Sequence, residues 1–372
     1  MAMINLDRYA ATYGEKYGEH IEWLREVASA VDNYQDIHSN TDFRNEQLDA
    51  LLLSSFSMTT EERVRMFEQL SYGDPGTLLF SPGPSLSGVI LNEAGSEEQK
   101  AHFYDYLKEH NCRTFFAVTE PSKGSDAGRL ESRYTNGTLS GEKWLIGNGA
   151  RGDIGVVLFK TGASPLATRA ALVTKDMIDS PQVKRRLLKQ HCLCGARLSY
   201  LKFDELPIPQ ELLLGEHLHP CERGLFSMIR TFNKMRPCVV GLSIGYAQAA
   251  VDVLLDHGKD AGISQDACRH FNTILSTIRA VNLVAAKTAD KEPDNMAYSS
   301  LAKIELDDLV KQMRPFLFQH FSKLQSDHFT HVRKFMRDSY AFDFMEGTHV
   351  IQKHNLVNIL KRNDYVSPWS GQ

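Results

Sequence analysis

What this chain lacks narrows its class first. The start, "MAMINLDRYAATYGEKYGEH", has no basic segment leading into an apolar core, so no secretory leader is expected. No long apolar run is free of polar residues. The most apolar one, "CVVGLSIGYAQAAVDVLL", carries Gln248 and Asp252 and predicts a buried bundle helix, not a membrane span. Cysteine is sparse, at six in 372 residues, which is no disulfide scaffold and suits a cytoplasmic, reducing compartment. "HCLC", from His191 to Cys194, has no second Cys/His pair nearby to complete a zinc site, and no metal is expected. Positive charge is not in excess. The 42 Lys and Arg against 46 Asp and Glu leave a net charge of −4, with no basic footprint for nucleic acid or a membrane surface. Internal repeats and low-complexity segments are also missing.

What is there falls into three regions, and the class they predict is α+β. Residues 1–112 read as an N-terminal helical domain, with "EHIEWLREVASAV", "RNEQLDALLLSSF", "EERVRMFEQLSYG" and "SEEQKAHFYDYLKEH" at helical spacing. Thr59 followed by Glu62 has the form of a capping box. Residues 113–220 read as a middle β domain, barrel or sheet. Its runs include "RTFFAV", "IGVVLFKTG", "RAALVTK" and "LSYLKFDEL", and Asn136-Gly137 marks a hairpin before "TLSGEKWLI". Residues 221–372 read as a C-terminal antiparallel helix bundle of four or five long helices, which Pro237 and Pro315 are expected to kink or break.

Two segments suggest chemistry. In "DSYAFDFMEGTHVIQKHNLVNIL" a lone acid, Glu346, follows Phe342, Phe344 and Met345 and precedes Gly347-Thr348, where a helix opens. Thr348 can cap that helix, and Val350, Ile351, Val357 and Leu360 fall near one face of it. Glu346 is either a solvated acid at a helix N-terminus or a positioned carboxylate. In "FFAVTEPSKGSD" an apolar strand runs into a turn with Pro121 and Gly124. That turn is either only a turn or a way of aiming N–H groups and the hydroxyls of Thr119 and Ser125 at a planar ligand.

The order of these segments resembles the acyl-CoA dehydrogenase family. That family carries "A-x-TEP-x-x-GSD", "G-x-K-x-W-I-x-NG", an arginine leading into a central helix, and "EGT" opening its last helix. Here "AVTEPSKGSD", "GEKWLIGNG", "FNKMRPCVVGLSIGYAQAAVD" and "MRDSYAFDFMEGT" follow in the same order, and the likeness runs from about Leu70 to Leu360. The resemblance implies FAD as cofactor and an acyl thioester as substrate. It implies α,β-dehydrogenation, with the α-proton taken by a carboxylate and the β-hydrogen leaving as hydride to flavin N5. Glu346 would be the base. A thioester α-proton is weakly acidic, so the base needs a carboxyl whose pKa burial can raise, and the apolar "FDFM" suits that. Some relatives place the base just before the arginine; here that position is Met235. Phe116, Val118, Thr119, Ser125, Leu145, Ile146, Gly147 and Thr348 would contact the flavin. Ser125, Asn233, Arg236 and Gly347 would contact substrate, with a surface ion pair the other reading of Arg236.

The chain departs from the family in three places. Leu145, Ile146 and Gly147 stand where a hydroxyl-bearing residue is usual, leaving a backbone N–H to face flavin N5. "DHGKDAGISQDACRHF" lacks the "R-x-x-FG" expected at the ADP half of the flavin, where Lys259, Arg269 and His270 are candidate replacements. "KLQSDHFTHV" replaces "Q-x-x-GG-x-G". The expectation is a homodimer or homotetramer, with the electron acceptor unspecified. Two other classes share the fold: a dehydrogenase of acyl groups tethered to an acyl carrier protein in a biosynthetic pathway, and a catalytically silent binding paralogue. A flavin monooxygenase would need no α-proton base, and the retained Glu346 argues against it.

Overall fold

The computed structural model describes residues 5–33, 43–124 and 127–361. Among the described residues seven helices come first: α1 (Leu6–Tyr13), α2 (Gly18–Asn33), α3 (Glu46–Ser54), α4 (Thr60–Ser71), α5 (Pro75–Phe80), α6 (Ser85–Ala94) and α7 (Glu97–His110). Strands β1 (Thr114–Ala117), β2 (Arg133–Thr135), β3 (Thr138–Ile146), β4 (Ile154–Lys160), β5 (Thr168–Val173), β6 (Val183–Leu187) and β7 (Ser199–Pro207) follow, with the short α8 (Lys175–Ile178) between β5 and β6. Helices α9 (Leu225–His257), α10 (Gln265–Lys291), α11 (Ala297–Gln319), α12 (Thr330–Asp338) and α13 (His349–Lys361) close the chain. The expected α+β organisation is borne out.

Local chemistry sets several boundaries. Thr59 and Glu62 bond each other's backbone N–H groups in a capping box at the start of α4. Ser96 and Gln99 do the same for α7, which ends on Asn111 in the left-handed conformation. Asn136 and Gly137 both have positive φ, as a two-residue hairpin turn between β2 and β3 requires.

The chain divides into two compact units. Val27–Met58 with Gly76–Phe232 holds the sheet, ordered β1-β4-β2-β3-β7-β6 with β5 on β4. It is mixed, β1 and β4 being parallel and β3, β7 and β6 antiparallel. Its two ends do not pair, so among the described residues it is an open sheet and not a barrel. One face packs Phe115, Val157, Phe159, Leu201 and Phe203; the other covers Val156, Leu158 and Leu172 with Ile90, Leu91 and Phe103 from α6 and α7.

The second unit, Met1–Glu26, Thr59–Pro75 and Asn233–Gln372, holds most of the long helices. Gly245 on α9 lets the α4 backbone come close, because a Cβ there would lie 1.8 Å from the Glu68 carbonyl oxygen. Two expectations need correction. Pro237 and Pro315 break nothing: α9 runs through the first and α11 through the second. Asn282 donates to the Pro237 carbonyl at 2.9 Å, and tertiary packing of a largely buried helix outweighs the missing N–H. The apolar residues expected on one face of α13 do not turn inward either. Val350, Val357 and Leu360 are exposed, while the fully buried residue is Gln352, whose amide is bonded to α11.

Candidate active site

Glu346 stands between the 3-10 turn Ser339–Asp343 and α13, with φ +55°, in the left-handed region that non-glycine residues rarely enter. Two donors hold its backbone there. Arg236 Nε and Gln352 Nε2 donate to the Glu346 carbonyl at 3.2 and 3.0 Å. Ser300 Oγ donates to Gln352 Oε1 at 2.9 Å and fixes the amide. Gly347 follows with φ +95°, and a Cβ on it would lie 2.4 Å from Gln352 Nε2, so both conformation and space call for glycine. Thr348 starts α13: Gln352 N–H donates to its carbonyl at 3.0 Å, and its hydroxyl faces Ile351 N–H at 3.5 Å.

The backbone is clamped while the carboxylate is left free. Its Oε2 is closed to solvent and has no hydrogen-bond partner. Burial pushes the Glu346 carboxyl up to about 7, against the opposing pull of Arg236 and Lys303. Of the apolar run before it, Phe342 is buried and Phe344 is 70% exposed. Next to Phe344, Asp343 is gripped by the Arg314 guanidinium at 2.7 and 2.9 Å.

Arg236 is buried and donates through Nη1 to Ser299 Oγ at 2.9 Å. Burial lowers its pKa to about 10, with Glu346 opposing. It is therefore not a surface ion-pair residue. Asn233 is fully buried, and its amide is engaged within the chain. It donates to the Pro293 and Asn295 carbonyls and accepts from Ser299 at 2.6 Å. In this conformation Asn233 supports Ser299, and through it Arg236. Met235 is buried and cannot accept a proton.

In the sheet unit, Phe116 is half-buried and meets Phe232 edge-on at 5.9 Å, and Val118 is buried. The half-buried Thr119 accepts the Trp144 N–H on its carbonyl at 2.8 Å, joining the "TEP" turn to β3. A register shift between Lys143 and Ile146 puts Leu145 in a bulge, with φ +59° and its side chain half exposed, while Ile146 points inward. At Gly147 an added Cβ would meet only the Ala196 carbonyl, at 3.6 Å, so the backbone is open to close approach there. Ser125 lies outside the described residues.

Inside the "TEP" and "GEKW" motifs lies a buried ion pair that the sequence does not announce. Lys143 Nζ donates to Glu120 Oε1 at 2.8 Å, and both side chains are closed to solvent. Ser132 donates to the same carboxylate through its N–H and hydroxyl, at 2.9 and 2.6 Å. Burial pushes Glu120 up, but Lys143 and these donors outweigh it and hold the carboxyl below its usual range. Charged residues inside two strand-forming motifs were the available signal. Among the described residues no cluster of His, Cys, Asp and Glu could hold a metal ion.

Residues 115–206 match the profile described as "Acyl-CoA dehydrogenase, middle domain", and residues 222–360 match "Acyl-CoA dehydrogenase, C-terminal domain". A similar protein from Caenorhabditis briggsae is named "Probable medium-chain specific acyl-CoA dehydrogenase 2, mitochondrial". It is 24% identical over 310 residues, covering 80% of this chain and 75% of its own. "Probable acyl-CoA dehydrogenase fadE25" of Mycobacterium leprae is 26% identical over 288 residues, covering 72% and 71%. Among solved structures, a glutaryl-coenzyme A dehydrogenase bound to glutaryl-CoA superposes with a TM-score of 0.78 at 18% identity, over 94% of this chain and 95% of that one. The FAD complex of PigA superposes with a TM-score of 0.77 at 19% identity, over 98% and 99%.

Proposed function

The chain belongs to the acyl-CoA dehydrogenase family and is an oxidoreductase acting on CH–CH bonds, and from that premise we propose that it oxidises the Cα–Cβ bond of an acyl thioester with Glu346 as the base. One observation carries the assignment: a carboxylate with a clamped backbone and one oxygen shut away from every donor, its pKa pushed up to about 7. Such a group is substantially ionised near neutral pH yet keeps enough proton affinity to remove a weakly acidic α-proton. Arg236 and Lys303 keep it from being neutral throughout the working range. Gly347 adds no bulk beside it, and Gln352 fixes the backbone that carries it.

The sheet unit fits FAD as the cofactor. The bulged Leu145–Gly147 backbone leaves an open edge at Gly147, and Thr119 stands half-buried across its bond to Trp144. Phe116, Val118, Thr119 and residues 145–147 would hold the isoalloxazine ring. Bound there, the flavin supplies the two-electron acceptor for the hydrogen that leaves the β-carbon.

The test is anaerobic single-turnover mixing of the holoenzyme with a panel of CoA and carrier-protein thioesters. Prolyl thioesters belong in the panel, because a PigA structure similar to this chain was determined with FAD and proline. An electron-transferring flavoprotein is the first acceptor to try. Native protein should bleach with at least one thioester. Glu346→Gln should keep its flavin and slow the bleaching by roughly two to four orders of magnitude. Near-normal flavin reduction in that variant would remove Glu346 as the base.

A further inference from the structure

Within the largely apolar buried side of α11 runs a polar stripe. Ser299, Ser300, Lys303 and Asp307 are spaced to share one side, and none is more than 1% exposed. Three of them reach the segment that carries Glu346 or its clamp. Ser299 accepts from Arg236, and Ser300 donates to Gln352. Lys303 Nζ donates to the Phe342 carbonyl at 2.7 Å, four residues ahead of Glu346, and is paired with Asp307. The second Asp307 oxygen is buried without a hydrogen-bond partner and faces His349 Nδ1 at 3.8 Å. His349 Nε2 lies 3.5 Å from Asp308.

A buried ion pair is weak evidence for stability, because well-packed apolar residues of the same volume commonly do as well or better. Stability alone therefore does not account for this one. We propose that Lys303 is a positioning residue for Glu346: seated on Asp307, it anchors the turn that ends in Glu346 and supplies a fixed positive charge that sets where that carboxyl titrates. This rests on Glu346 being the base.

The charged and titratable groups around the carboxyl are few. Arg236 on α9 and Lys303 on α11 both favour its ionised form. Cys238 on α9 is kept a neutral thiol, its pKa pushed up to about 12 by burial. Around Lys303 itself stand Asp307, Asp343 and Arg236, and burial lowers its pKa against the pull of the two acids. Arg236 grips the Glu346 backbone directly, so changing it would disturb position and charge together. Lys303 bonds a carbonyl four residues away, and its charge can be removed more cleanly.

The experiment titrates Glu346 by NMR in FAD-loaded protein carrying 13C-labelled glutamate carboxyls, with its signal assigned by its loss in Glu346→Gln. Native protein is compared with Lys303→Met and with the double variant Lys303→Met/Asp307→Asn, which replaces the pair by neutral residues of similar size and guards against a misfolded single variant. In Lys303→Met the Glu346 pKa should rise by about one unit, the size expected when a nearby opposite charge is lost, and in the double variant, which removes the Asp307 charge as well, it should rise by less. The rising limb of flavin reduction against pH should move up with it. An unchanged Glu346 titration in folded variants would overturn the proposal, leaving Lys303 a structural residue. A titration that moves while the kinetic limb stays put would uphold the role of Lys303 and remove Glu346 as the base.

Discussion

Glu346 is held in a backbone conformation that costs a non-glycine residue roughly 1–2 kcal/mol, and its carboxyl is buried beside two cations without a hydrogen bond on Oε2. Strain and desolvation at one residue are the mark of a site shaped for chemistry at some expense to stability. The consequence for pH follows from the sign of the shift. The folded-state pKa of about 7 lies above the ordinary 4.5. Below pH 4.5 both folded and unfolded forms hold the proton, and Glu346 imposes no ionisation penalty. Between 4.5 and 7 the unfolded chain releases it first, so stability falls as pH rises, and above 7 the loss is complete. Glu346→Gln should therefore unfold at the same denaturant concentration as native protein at pH 4.5 and at a higher one at pH 8. Urea titrations at the two pH values check this. Equal midpoints at pH 8 would mean that the carboxyl is not desolvated.

Among the elements, β3 pairs with β2 and β7 and is tied to the "TEP" turn by a buried contact. Lys143 faces inward from an otherwise ordinary strand and meets Glu120 of the "TEP" turn, while the next residue, Trp144, bonds the Thr119 carbonyl. The bulge at Leu145 begins immediately after this anchor. Lys143→Met would leave the Glu120 carboxylate buried with Ser132 and the Glu131 N–H as its remaining partners. The expected cost is roughly 3–5 kcal/mol, with most of it recovered in Lys143→Met/Glu120→Gln, where no charge is stranded. Urea denaturation measures the stability, and flavin absorbance per mole of protein measures whether the bulge still holds FAD. A single variant as stable as native would show that the pair does not anchor the strand.

On the scale of the whole molecule, the two segments that replace the family's "R-x-x-FG" and "Q-x-x-GG-x-G" come together in the fold. His257 at the end of α9 stacks on His328 at 4.5 Å, and Lys323 Nζ donates to the Gly262 carbonyl at 2.9 Å. Lys259 and His270 are exposed nearby in sequence, and Arg269 is paired with Asp266. Phe318, Phe321, Phe344, Val350, Val357 and Leu360 are exposed large apolar residues on the helical unit. We expect a homodimer more than a tetramer, one that loses part of its FAD on purification. Added FAD should then raise the melting temperature, because a ligand that binds only the folded state stabilises it by mass action. Light scattering and thermal melts with and without FAD measure both. A tetramer purified with full flavin, and a melt indifferent to added FAD, would contradict the expectation.

What the sequence determined by itself is whatever local chemistry encodes. The Thr59 capping box, the Asn136-Gly137 hairpin and the succession of helices, strands and helices all rest on residues within a few positions of one another. The motif order was also legible, and it singled out Glu346. Only the tertiary structure decided the partners. The parallel pairing of β1 with β4, the polar strand "VKRRL" and the continuous α9 through Pro237 depend on neighbours supplied from elsewhere in the chain. So do the Gln352–Ser300 clamp, the Glu120–Lys143 pair and the polar face of α11. A buried polar side chain looks like a surface one in sequence. What separates them is a partner 23 residues away for Lys143 and 52 away for Ser300, and such a contact leaves no periodic pattern along the chain.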